Sequence, residues 1–156
     1  MRSWPVADTV QETILARLQT VFKGITTVAG YNRTIYDALR YTVSGAQYDM
    51  YPSIGFQAVQ ESVKAGIYPV LEYEMTVIAE VWQEMEDGQY LDKELNILMG
   101  DMQKAIMLDP QLNNLCRYCA LTRREYGRSE GAIYGVGMVT LEIGYAADAD
   151  DPTTGK

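Results

Sequence analysis

The chain has 156 residues, a formal charge of −8, 47% hydrophobic and 22% charged residues, and no histidine. That is ordinary globular composition and length enough for one domain, which at this size buries roughly 70% of its unfolded surface. The acidic balance argues against a duplex-binding face, which needs clustered Lys and Arg, and the missing histidine removes Ser-His-Asp and Cys-His catalysis. No apolar run reaches the length of a membrane span, and Met1-Arg2-Ser3-Trp4-Pro5 lacks the apolar centre of a signal peptide, so no membrane partner is expected.

Thr9-Val10-Gln11-Glu12 fits a capping box, a hydroxyl followed three residues on by a carboxylate. Ile14, Leu18, Val21, Phe22 and Ile25 then recur at helical spacing, and the pattern predicts a helix from Val10 to about Gly24. Tyr, Ile and Thr enrich the stretch from Tyr31 to Val43 and predict a strand over 34–42, with a turn over 44–49. Tyr51-Pro52-Ser53-Ile54-Gly55-Phe56 opens another strand, since Pro is tolerated where its missing N–H need not pair. Glu61 to Gly66 reads as a loop.

The clearest strand is Val70–Trp82. Leu71, Tyr73, Met75, Val77, Ala79 and Val81 share one face, and Glu72, Glu74, Thr76 and Glu80 the other, a period of two. Ile78 and Trp82 interrupt the polar face, so its far end is expected to be covered, a second subunit being one such cover. Glu86-Asp87-Gly88 makes a turn. Leu91–Leu108 then repeats Leu95, Leu98, Met99, Met102, Ala105 and Ile106 on one helical face, weakened by about 1 kcal/mol at Gly100 and ended by Asp109-Pro110. Leu115–Glu125 and Ala132–Tyr145 form a predicted hairpin around Gly127–Gly131. Gly135 and Gly137 lie on the apolar parity of its second strand and mark a kink or a close backbone approach.

These elements predict an α+β fold, a mainly antiparallel twisted sheet with two helices packed on one face. The expected organisation is an N-terminal segment over 1–8, a single domain over 9–146, and an acidic tail over 147–156 that is mobile unless a neighbour holds it.

Little in the chain carries chemistry. Cys116-Arg-Tyr-Cys119 has CxxC spacing, but no second pair and no histidine complete a zinc site, and the motif sits in a predicted strand instead of at a helix start. Asp148, Asp150 and Asp151 lack the glycine-pinned loop of a calcium site. No catalytic residue, cofactor site or metal site is expected. The alternative is a small carboxylate-dependent enzyme using Glu72, Glu74 and Glu80, set against the plainer reading of a solvated strand face. The twelve tyrosines suit half-buried strands and protein interfaces, where one end of the ring is apolar and the other wet.

The order of elements resembles that of the tail terminator (tail completion) proteins of long-tailed bacteriophages. An amphipathic helix leads through Gly30-Tyr31 into the first strand. A strand opened by Pro52-Ser53-Ile54 follows, then the alternating strand Leu71–Val81, and a second helix carrying Asp101-x-x-x-Ala105-Ile106-x-x-Asp109. The hairpin ends at Ile143-Gly144-Tyr145 before an acidic segment and Pro152. The resemblance covers about residues 8 to 152. It implies a structural role in the virion, at the head-proximal end of the tail, for a protein made in the bacterial cytoplasm. A homo-oligomeric ring, hexameric in that family, caps the tail tube protein, ends tube polymerisation and meets a neck or head-completion protein, while DNA passes through its lumen without specific binding. An acidic lumen would discourage DNA from sticking. Another neck, connector or minor tail protein is the near alternative. The residues expected at subunit contacts are Tyr48, Tyr51, Ile78, Trp82 and Tyr68, with the glycine-rich last strand and the loops over 44–51 and 61–68.

Overall fold

Thr9 opens the first helix, α1 (Val10–Lys23), by accepting the N–H of Glu12 on its hydroxyl at 3.2 Å, the N-cap half of the expected capping box. Glu12 itself reaches to Arg40 at 3.0 Å. The helix stops at Gly24, whose N–H returns to the carbonyls of Thr20 and Val21. The second helix, α2 (Leu91–Leu108), ends at Asp109 ahead of Pro110, as the sequence predicts. These elements come from a computed structural model that describes residues 8–42, 47–64, 66–85, 90–128 and 133–155. The N-terminal segment through residue 7, the turn at Glu86–Gly88, and parts of the predicted turns at 44–49 and 127–131 lie outside the described residues.

Five strands form one sheet: β1 (Ala38–Leu39), β2 (Ser53–Lys64), β3 (Val70–Glu84), β4 (Tyr118–Arg128) and β5 (Tyr134–Asp148), in the order β1-β2-β3-β5-β4. All pairings are antiparallel except the short parallel contact of Ala38 and Leu39 with Ile54 and Gly55. The apolar parity of β3 and β5 meets both helices in one core, where Met75, Val77, Ala79, Val81, Val139, Leu141 and Ile143 pack with Ile14, Leu18, Phe22, Leu95, Leu98 and Met102. The Phe22 and Phe56 rings join α1 to β2 edge to face, with centroids 5.5 Å apart. The fold is therefore α+β, with both helices on one face of a mainly antiparallel sheet.

Gly135 and Gly137 mark the expected close approach. A Cβ on Gly135 would run into the Leu91 side chain, and one on Gly137 would lie 3.0 Å from Met99 Cγ and 3.1 Å from Val81 Cγ1. Two glycines thus let α2 seat directly on the β5 backbone.

Four expectations are corrected. The strand over 34–42 shrinks to Ala38–Leu39: the Ile35 N–H goes back to the Ile25 carbonyl at 2.8 Å, and the chain just ahead of it, at 30–33, is tied to side chains of α2. The buried Asp101 carboxylate accepts the N–H of Asn32 at 3.1 Å and of Arg33 at 2.8 Å, Arg33 forks onto Glu94, and Lys104 donates to the Gly30 carbonyl at 2.9 Å. The loop expected from Glu61 is strand as far as Lys64, paired with Tyr73 and Glu72. Its polar composition reflects solvent on both faces, while the ladder to β3 satisfies its backbone. Leu115 and Cys116 belong to the turn after α2, where Leu112, Asn113 and Asn114 adopt φ of 46°, 60° and 63°, and β4 begins at Tyr118. Finally, the last strand runs past Tyr145 into the acidic tail. β5 continues to Asp148, the Pro152 carbonyl accepts the Val10 N–H at 3.0 Å, and Asp148 N–H donates to Thr154 at 3.1 Å, so the segment caps the start of α1.

Candidate functional site

The helix-free face of the sheet is the largest surface the fold leaves to function. Register places Lys64, Glu72 and Ala146 in one row across it, then Ser62, Glu74, Gly144 and Tyr118, then Gln60, Thr76, Glu142 and Ala120. Glu72 pairs with Arg117. Glu74 takes Lys64 at 2.9 Å and the Tyr118 hydroxyl, and Tyr118 lies over Gly144. Thr76 donates to Glu142 at 2.9 Å.

The carboxylates behave as charged partners. The Tyr118 hydroxyl first, and Lys64 second, hold Glu74 below the usual carboxylate range, while the same bond pushes the Tyr118 phenol up to about 12. A general acid needs the opposite shift. Glu80, on the same face, accepts the Trp82 indole N–H at 3.2 Å.

The expected contact residues separate into two groups. Trp82 and Ile78 are half-buried on the helix-free face. Their end of it is crossed by the chain around Tyr41 and Tyr48: a Cβ on Gly55 would lie 2.7 Å from the Tyr41 carbonyl oxygen and 3.2 Å from Thr42 Cα, and would strike the Tyr48 hydroxyl. Tyr48 is only 7% exposed, so its own chain already covers it. Tyr48 meets Tyr51 edge to face at 6.2 Å, and Tyr51 meets Tyr134 at 5.2 Å, a short aromatic row. Burial pushes the Tyr48 phenol well up, with Glu80 adding to it, and burial, with the Tyr134 phenol beside it, pushes Tyr51 up to about 12. Tyr68 stands apart, about 40 Å away along β3 at a strand rise of about 3.3 Å per residue. It is 72% exposed at the turn between β2 and β3 and donates to Asp150 at 2.7 Å.

The two strand edges escaped the sequence reading, although the segment over 61–68 was expected at a contact. Beyond Gly55, β2 has no strand on its outer side among the described residues. Its outer half and the following turn expose Val59, Val63 and Ile67, with Val59 in a bulge opposite β3. On the other side, β4 has no strand on its outer side among the described residues and carries Arg123, Arg124 and Arg128, with a bulge at Thr122. The Arg123-Arg124 pair beside Tyr118 and Tyr126 was the available signal for that edge, since arginine and tyrosine are enriched at interfaces.

Cys116 and Cys119 are free thiols, both buried on the helix side instead of on opposite faces. Burial pushes them up to about 11 and about 12. Among the described residues no three His, Cys, Asp or Glu side chains are grouped to hold a metal ion, and no helix is long and apolar enough to cross a membrane. No protein-family model matches the chain, and comparison with curated proteins finds no match.

Proposed function

We propose that the protein is a structural component of a phage tail, a terminator that assembles as a ring on the head-proximal end of the tail tube, ends tube growth and joins the tail to the neck or head. The observation that carries this reading is the one-sided sheet: both helices occupy one face, which leaves a charged open face, unpaired strand edges on both sides, and exposed apolar residues at the β2–β3 turn. Such edges are a liability in an isolated monomer and an asset in an assembly. The element order of the terminator family supports the more specific role. Carboxylates such as Glu72, Glu74 and Glu142 on the open face would suit a wall past which DNA slides.

Deleting the protein from a phage that encodes it tests the role. Tails that overgrow, and label on the native protein at the head-proximal end, are the expected results. Tails of normal length that join heads normally without it would end this reading, and tails of normal length left unjoined would move the protein into the neck.

A further inference from the structure

We propose that copies of this chain join head to tail by edge-strand addition, the β4 edge of one subunit pairing with the outer half of β2 in the next. The inference rests on the ring-forming reading and names the surface by which such a ring would close.

Charge selects the partner. Between Arg117 and Arg128 the chain carries four arginines and a single carboxylate, whereas between Asp37 and Glu84 it carries seven carboxylates and two cations. The sheet is thus basic along one edge and acidic toward the other. Like edges brought together would set the basic stretch from Arg123 to Arg128 against the same stretch of the second copy, a repulsion that disfavours a two-fold dimer. Unlike edges brought together put Arg123 on the helix-free face that carries Glu72 and Glu74 one strand in from the β2 edge, and Arg128 on the helix side that carries Glu61 of β2. A head-to-tail contact leaves one unused edge of each kind at the ends of the chain of subunits, and it stops only when the ring closes.

Chemistry and exposure agree. Every cation on the β4 edge is arginine, whose planar fork suits interfacial carboxylates better than lysine does. Arg117 and Arg123 already hold Glu72 and Glu125 of their own chain, but with side chains 53% and 68% exposed. Exposed pairs contribute little and exchange readily. Tyr118 and Tyr126, 41% and 52% exposed, flank the arginines with amphipathic surface. The bulges at Val59 and Thr122 bend both edge strands, and such a bend turns a growing sheet out of one plane.

Cross-linking of the folded full chain tests the pairing. Ser62→Cys and Thr122→Cys place one thiol on each edge, and the native thiols are buried. With a short bis-maleimide the double variant should give a ladder beyond the dimer, while each single variant stays at the wild-type background. Efficient dimers from either single variant would overturn the proposal. Arg123→Glu with Arg128→Glu should weaken assembly at least about tenfold by mass measurement with unchanged circular dichroism, and mixing that chain with Glu72→Lys/Glu74→Lys chains should restore it. Assembly indifferent to the reversal, or a wild-type chain monomeric at its highest soluble concentration, would also overturn it. Rings without edge-to-edge cross-links would remove this inference alone and leave the tail role to the deletion experiment.

Discussion

Replacing Asp101 with alanine should be the most damaging single change outside the apolar core. Its carboxylate is 1% exposed and accepts three hydrogen bonds, from the N–H of Asn32 at 3.1 Å, the side-chain amide of Asn32 at 3.2 Å and the N–H of Arg33 at 2.8 Å. Hydrogen bonds to a charged acceptor contribute about 1.5–3 kcal/mol each, and a donor left unsatisfied out of water costs about 1–3 kcal/mol. Relief of the carboxylate's own desolvation offsets part of that sum. The net expectation for Asp101→Ala is a loss of about 3–4 kcal/mol. Asp101→Asn keeps one acceptor and points an amide N–H₂ at a donor, and should lose about 2 kcal/mol. At about 2–4 °C per kcal/mol for a chain of this size, the alanine variant should melt about 6–16 °C lower. Urea unfolding followed by circular dichroism gives the free energies, and amide exchange at Asn32 and Arg33 gives the local effect. An alanine variant within about 1 kcal/mol of wild type, with both amides still protected, would refute the reasoning.

Other outcomes follow from the same geometry. Gly55→Ala would press a methyl group against the Tyr41 carbonyl and Thr42 Cα and should cost about 1–3 kcal/mol, with a change in Trp82 fluorescence as the covering chain lifts. Gly100→Ala, with no atom within 4 Å of the added carbon, should instead stabilise α2 by about 0.5–1 kcal/mol in urea unfolding. Tyr118 titrates higher when folded, so its bond to Glu74 is fully present below pH 10 and is lost as pH rises toward about 12. Glu74 titrates lower when folded, so its share is lost as acid protonates it below the usual carboxylate range. Tyr118→Phe should flatten both limbs of a stability–pH profile and remove one raised step, near about 12, from a tyrosinate titration. The buried Cys116 and Cys119 should react with a thiol reagent only as fast as the chain unfolds, and fast labelling of the native protein would contradict their placement.

The helices and the two long central strands were legible because local chemistry and burial agree there. Thr9 supplies a real cap, Asp109-Pro110 a real stop, and the period of two in β3 and β5 matches a sheet covered on one face. The outer half of β2 was hidden because Gln60, Glu61, Ser62 and Lys64 have solvent on both faces, so no alternation records their pairing. The approach to β1 is set by the Ile35–Ile25 backbone bond and by Asp101, Glu94 and Lys104, which hold the chain at 30–33 and whose reach no local pattern encodes. Trp82 and Ile78 are half-buried, and the cover seen at that end of the face is the chain around Tyr41 and Tyr48 lying over Gly55. Tyr68 alone of the five expected contact residues is mostly exposed.

The glycine notch that seats α2 on β5 has a mechanical consequence. A helix resting on ordinary side chains can shear past a sheet by small steps, but Leu91 and Met99 drop into gaps left by Gly135 and Gly137 like teeth in a rack. A slip of one residue would drive them into the strand backbone. The two layers therefore have no glide plane, and whatever load the molecule transmits must pass through it as through a single rigid wedge.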